Sequence, residues 1–147
     1  MTRRLREVPA RYDVMAPVSG DLLLDTHAAL WWFVDSPQLT QAVRELIGDS
    51  ARRVVFSAAS AWELATKARI GKLPEMPEVP TRLPGFVQGS RFEVLPISLE
   101  HSLLAGALPG PHRDPFDRML IAQARREGLT VVTRDKIFAD YGCTTVW

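Results

Sequence analysis

Apolar residues fall along this chain in short runs, each closed by a polar residue and followed by a longer stretch with helical spacing. Leu22-Leu23-Leu24 stops at Asp25, and Thr26 to Val34 is then apolar and long enough for a helix. Thr40 is placed to cap a second helix through about Gly48, with Val43, Leu46 and Ile47 on one face. Arg53-Val54-Val55-Phe56 predicts the next strand, and Ser57 to Ile70 repeats at helical period up to a stop at Gly71. Prolines 74, 77, 80 and 84 predict a loop from Lys72 to Pro84, with a short helix after it. A third strand spans Phe92 to Ile97, and Pro96 makes it brief or puts it near an edge. Ser98 caps a helix to Leu108, Pro109-Gly110-Pro111 breaks it, and Asp114 opens another through Glu127 and Gly128. Strands at Leu129 to Thr133 and Thr144 to Trp147 complete the series.

Strands alternating with helices, without hairpin signals, predict an α/β sandwich: a parallel sheet covered on both faces. The pattern assigns residues 21–147 to the domain and leaves residues 1–20 as a flexible N-terminal extension. Met15 lies just upstream of the patterned region and is the expected natural start. The extension is basic but lacks the apolar stretch of a secretory signal. The longest apolar run, Ala28 to Val34, is far short of the roughly 20 residues that cross a bilayer.

Composition adds boundaries more than direction. With 147 residues, 46% of them apolar and 24% charged, one core is expected. A chain of this length buries roughly 70% of its unfolded surface without disulfide or metal staples. One cysteine, Cys143, excludes an internal disulfide framework and suits a reducing cytoplasm. Eighteen basic and 17 acidic side chains leave a net charge of +1, so bulk charge neither points to nucleic acid nor excludes it.

Placement of the carboxylates is informative. Asp25, Glu63, Asp114, Asp117 and Asp135 all fall at strand ends or in first turns of helices. Right-handed crossovers bring those places to one edge of a parallel sheet, where α/β proteins bind ligands. Each also has a plain structural explanation. Asp114 before Pro115 reads as an N-cap followed by Pro at the first helical position. Ser60-Ala61-Trp62-Glu63 fits a capping box. Asp117 suits the positive helix end, and Asp135 suits a turn. Asp25, directly after three leucines, gains little as a cap that Ser could not supply.

Taken together the carboxylates pose an electrostatic problem. Two of them about 5 Å apart at an effective dielectric near 20 repel by roughly 3 kcal/mol. A countercharge resolves it, and an all-oxygen donor set favours Mg²⁺ or Mn²⁺ over Zn²⁺. His27, His101, His112 and Cys143 make no zinc spacing. An open acidic site of this kind can activate water and hold a phosphodiester in line for hydrolysis. Arg113, Arg118, Arg134 and Lys136 flank the acidic positions, either as phosphate contacts or as solvated counter-ions. Ser57 and Thr133 either orient the site or make ordinary strand-end hydrogen bonds.

LLLDTHAALWW, SAASAWELATKARIGKL, FEVLPIS, HRDPFDRMLIAQARREGLTVVTRD and the terminal TVW occur in that order from Leu22 to Trp147. Together they resemble the PIN-domain ribonucleases, and among them the VapC-type toxins of bacterial toxin–antitoxin pairs. The resemblance implies a PIN-like three-layer sandwich with a parallel five-stranded sheet flanked by helices. It implies a cytoplasmic, Mg²⁺- or Mn²⁺-dependent endoribonuclease acting on tRNA, rRNA or mRNA, homodimeric and inhibited by a VapB-like antitoxin. By the same likeness Asp25, Glu63, Asp117 and Asp135 are catalytic metal carboxylates, and Asp114 is a further ligand or only the cap. Trp31 and Trp32 diverge on their helix, so that either both enter the core or one faces a partner. Two other readings differ in class. A non-catalytic RNA- or protein-binding module would keep the fold without needing the acids. A phosphoacceptor would use the strand-end Asp25, and a phosphatase of the haloacid dehalogenase type would want a second Asp where His27 stands.

Overall fold

Three successive leucines are all fully buried only where a strand is covered on both faces, and β1 (Leu22–Leu24) lies in the middle of a five-stranded parallel sheet. The computed structural model describes residues 20–147. Strand order is β3-β2-β1-β4-β5, with β2 at Val54–Ser57, β3 at Glu93–Leu95, β4 at Thr130–Val132 and β5 at Thr145–Val146. The helices are α1 (Thr26–Phe33), α2 (Gln41–Ile47), α3 (Ala58–Arg69), α4 (Val79–Gly89), α5 (Leu99–Ala107), α6 (Pro115–Glu127) and α7 (Ile137–Asp140). The α/β sandwich expected from the sequence is the fold. The expectations of an N-terminal extension and of a start at Met15 lie, up to residue 19, outside the described residues. No helix among the described residues is long and apolar enough to cross a membrane.

Strand period decides which side chain meets which layer. Leu22, Leu24, Val54, Phe56 and Val132 face one core with Val43, Ile47, Leu83 and Val87. Leu23, Val55 and Val131 face the other, against Leu108, Leu120, Ile121 and Phe138. Leu22 is in register with both Val54 and Thr130, and Leu24 with Val132. A slip by one residue would exchange the two cores, so burial on both sides pins the register. That register brings Asp25, Ser57 and Thr133 to the same edge of the sheet.

Side-chain oxygens cap five of the helices, at Thr40, Ser98 and Asp114 as the sequence indicated. Asp25, Thr40, Ser57, Ser98 and Asp114 each accept a backbone N–H of the helix they open. At the other end of α6, Gly128 adopts the left-handed conformation (φ 69°) that a side chain would resist. The short β3 is an edge strand, as Pro96 implied.

Two local expectations need correction. The proline-rich stretch is not a loop as far as Pro84, because α4 begins at Val79. Pro80 falls in the first turn, where no helical N–H bond is lost, and Val79, Leu83 and Val87 bury one face of the helix. Packing of that face outweighs the one interior hydrogen bond that Pro84 removes. The single turn of α7 carried no sequence signal, and its buried anchor is Phe138. Trp31 and Trp32 do diverge, but both are half-buried against the core. Trp32 donates to Ser90 Oγ at 3.0 Å, whereas Trp31 meets Trp147.

Candidate active site

Asp25 sits between the central strand and α1, and the fold uses it twice. Its Oδ1 accepts the Ala28 N–H at 2.7 Å, and its own N–H donates to the Val132 carbonyl at 3.1 Å. It therefore does cap α1, against the expectation that capping gave little reason for an acid there. With 8% of its surface exposed, its carboxyl is pushed above the ordinary aspartate value, chiefly by desolvation. The Thr133 hydroxyl, the Ala28 N–H and His27 oppose that shift, and the Asp135 charge adds to it.

Glu63 is also buried, one turn into α3. Ser57 caps this helix, so the capping-box reading of Ser60 and Glu63 fails, and the Glu63 carboxylate reaches across to α1 instead. Thr26 Oγ1 donates to its Oε1 at 2.6 Å, and Lys67 Nζ lies 2.8 Å from Oε2. The Thr26 and Ser60 hydroxyls are 2.9 Å apart, completing a buried polar link from the residue after Asp25 to Glu63. Lys67 was legible as the i+4 neighbour of Glu63, and Thr26 only from its place beside Asp25.

Asp114 is the N-cap of α6, its Oδ1 accepting the N–H groups of Phe116 at 2.9 Å and Asp117 at 3.0 Å. Asp117, in the first turn, has its Oδ2 3.0 Å from His112 Nε2. Desolvation raises the Asp117 pKa, His112 pulls it back, and the charges of Asp114 and Glu63 push it further up. Asp135 is exposed and closes a turn: its Oδ1 accepts the Ile137 N–H at 3.1 Å, and its N–H donates to Thr133 Oγ1 at 3.0 Å.

The Asp135 charge thus bears on Asp25, and the charges of Asp114 and Glu63 bear on Asp117. Among the described residues no three His, Cys, Asp or Glu side chains stand together as a ready ligand set for a metal ion. The donors nonetheless suit a hard divalent cation: every one is a carboxylate oxygen, and the two acids with raised pKa are those whose ionised form a cation would relieve. Ser57 and Thr133 serve the frame, Ser57 by capping α3 and donating to Gln123, Thr133 by bonding Asp25 and Asp135. The Cys143 thiol, its pKa pushed up to about 11 by burial, is no nucleophile.

His112 carried no periodic signal in the sequence. A tyrosine from α7's far side holds it: the His112 N–H donates to Tyr141 Oη at 3.3 Å. Gly110 makes room for that hydroxyl. It has φ 95°, and a Cβ there would lie 2.5 Å from Tyr141 Oη. Gly110→Ala is accordingly expected to destabilise the fold by about 1–3 kcal/mol, read from the urea midpoint, because it combines backbone strain with displacement of Tyr141.

Comparison with known proteins agrees with the fold. The model of the PIN domain family matches residues 22–142. The chain is 29% identical over 120 residues to Ribonuclease VapC22 of Mycobacterium tuberculosis (strain ATCC 25618 / H37Rv), covering 78% of this chain and 87% of that protein. Two solved structures share the fold. VapBC2 from Rickettsia felis, bound to a DNA fragment from its promoter, has a TM-score of 0.64 at 19% identity, over 85% of this chain and 96% of the other. FitAcB from Neisseria gonorrhoeae has a TM-score of 0.60 at 22% identity, over 86% and 96%.

Proposed function

Since the chain belongs to the PIN domain family, we propose that it is a divalent-metal-dependent endoribonuclease, the VapC-type toxin of a toxin–antitoxin pair. The observation that carries this reading is the buried carboxylate of Asp25 at the end of the central strand, with Glu63, Asp117 and Asp135 along the same edge. The relative named a ribonuclease supports the activity, and the solved VapBC2 supports a VapB-like antitoxin as partner. RNA is the substrate, the natural assembly is a homodimer, and the cytoplasm is where both substrate and antitoxin are met.

Asp25, Glu63, Asp117 and Asp135 would hold Mg²⁺ or Mn²⁺, with Asp114 adding charge while it fixes the first turn of α6. A bound cation of this class supplies charge neutralisation at the scissile phosphate and acidifies water. The chain's own part is to set the acids in place. Thr26 and Lys67 fix the two oxygens of Glu63, His112 fixes one oxygen of Asp117, and the caps at Asp25 and Asp114 fix the backbone beneath them. Lys67 also sets an ammonium nitrogen 2.8 Å from the buried Glu63 carboxylate, a countercharge supplied by the fold itself.

Purified protein incubated with structured RNA should cleave it in Mg²⁺ and stop in EDTA, with activity restored by added Mg²⁺ or Mn²⁺. Equal cleavage in EDTA would overturn the metal-dependent reading. Expression in cells should arrest growth, and co-expression of the small gene neighbouring this one should relieve the arrest.

A further inference from the structure

Beside Asp25 the surface opens into a cavity of about 350 Å³ lined by Asp25, His27, Trp31, Arg134, Asp135 and Trp147. Its far wall differs in chemistry from the acidic edge. Trp31 and Trp147 meet edge to face with ring centroids 5.9 Å apart, and the Arg134 guanidinium carbon lies 4.5 Å from the Trp31 centroid and 5.9 Å from that of Trp147. Arg134 also donates to Gln38 Oε1 at 3.0 Å, which ties the guanidinium to the segment after α1. Arg134 is exposed, and both half-buried indoles keep part of their surface open to solvent. Although it borders two carboxylates, Arg134 makes no ion pair among the described residues, and its partners are aromatic faces and an amide.

We propose that this cavity receives a single unpaired nucleobase of the RNA, adjacent to the phosphate served by the carboxylate edge; the inference rests on the ribonuclease reading above. Unstacked bases bind on indole faces and guanidinium planes, and both are present here at one mouth. The volume is at the small end of ligand pockets, which run from about 300 to 1,000 Å³, and suits one ring system with its sugar rather than a duplex. Asp25 is a wall shared with the acidic edge, so a base held here puts its own backbone beside the carboxylates. Arg134 supplies the positive charge that a phosphate chain needs to approach Asp25 and Asp135. A flat ring system matches the guanidinium and indole surfaces of this wall, which favours a base over an aliphatic peptide segment.

The test uses Asp117→Asn, which lies outside the cavity lining and is expected to prevent cleavage, and a short single-stranded oligoribonucleotide carrying one 2-aminopurine moved along its length. Stacking should quench the fluorescence at one position next to the bond that the wild-type protein cuts. Arg134→Ala and Trp147→Ala should each weaken binding about tenfold and remove the quenching. Trp147→Phe should restore it, whereas Arg134→Lys, which keeps the charge and loses the plane, should not. Arg134 is exposed, so its variants test the proposal even where Trp147→Ala fails to fold. Unchanged quenching and affinity in Arg134→Ala would overturn the cavity assignment. Where the wild type cleaves RNA and these variants bind like their parent, only this inference falls. Where the wild type cleaves no RNA, the ribonuclease reading falls and this one with it.

Discussion

Asp25→Asn is expected to lower RNA cleavage by at least about a hundredfold and, in EDTA, to raise the melting temperature by about 3–6 °C. The two effects have one cause. Burial makes the ionised carboxylate costly, and asparagine removes the charge while keeping an oxygen for the Ala28 N–H, since Asn caps helices as well as Asp. Relief of a strained functional site commonly returns about 1–2 kcal/mol, and in a domain of this size that gives the stated shift. Loss of even a supporting outer contact at a metal site costs about 10- to 100-fold, so loss of a ligand carboxylate is set at the top of that range or beyond. The pH dependence has a definite sign. Because the folded-state pKa of Asp25 lies above its ordinary value of 3.8, its contribution favours folding most at low pH and declines as pH rises from there through the raised value. The stability gained by Asp25→Asn should therefore be near zero in acid, grow through that interval and then level off. Added Mg²⁺ should reverse the order by stabilising the wild type and leaving the variant unmoved. Thermal unfolding across pH, with and without Mg²⁺, reads all of this. A variant less stable than the wild type at every pH in EDTA would show that the charge is not under strain.

Most of the fold was legible because burial on both faces leaves a plain record: Leu22-Leu23-Leu24 and Val54-Val55-Phe56 read as continuous apolar runs, and Thr40, Ser57, Ser98 and Asp114 mark the helix starts they in fact cap. What failed was the reading of residues whose role depends on a partner far along the chain. Pro80 and Pro84 argue for a loop locally, but Val79, Leu83 and Val87 gain enough from the core to hold a helix there. Ser60 and Glu63 have capping-box spacing, yet Ser57 takes the cap and Glu63 turns to Thr26, 37 residues earlier. The strand ends and helix starts that carry the acids share one sheet edge, because parallel topology alone decides that. Which charge bears on which acid, and the roles of His112 and the Arg134 stack, are matters of side-chain direction that spacing does not encode.

The Lys67 and His112 contacts share a logic. Each puts a nitrogen against an acid whose charge the fold would otherwise have to bear alone, at 2.8 Å from Glu63 and 3.0 Å from Asp117. The acidic edge is thus held together by protein groups on its flanks.

Arg118→Ala is expected to cost about 2–4 kcal/mol of stability. Sequence alone left Arg118 as a phosphate contact or a solvated counter-ion, and the structure gives it neither role. Its guanidinium donates to three backbone carbonyls, Ala105 at 3.1 Å, His112 at 3.0 Å and Leu108 at 2.6 Å. Those carbonyls lie at the end of α5 and in the turn after it, where helix geometry leaves acceptors without partners and Pro109 and Pro111 supply no N–H. Removing a charged donor exposes each acceptor to a loss of about 1–3 kcal/mol, and because Arg118 is only half-buried, water recovers part of the total. Arg118→Lys should recover less than half, since one ammonium cannot span three acceptors held by a planar fork. Cleavage should fall with stability in both variants, because the same turn carries His112 to Asp117. Urea unfolding gives the first quantity, and hydrogen exchange at residues 105–112 should locate the loosening. Arg118→Ala with an unchanged urea midpoint and weakened RNA binding would return this residue to the phosphate-contacting role.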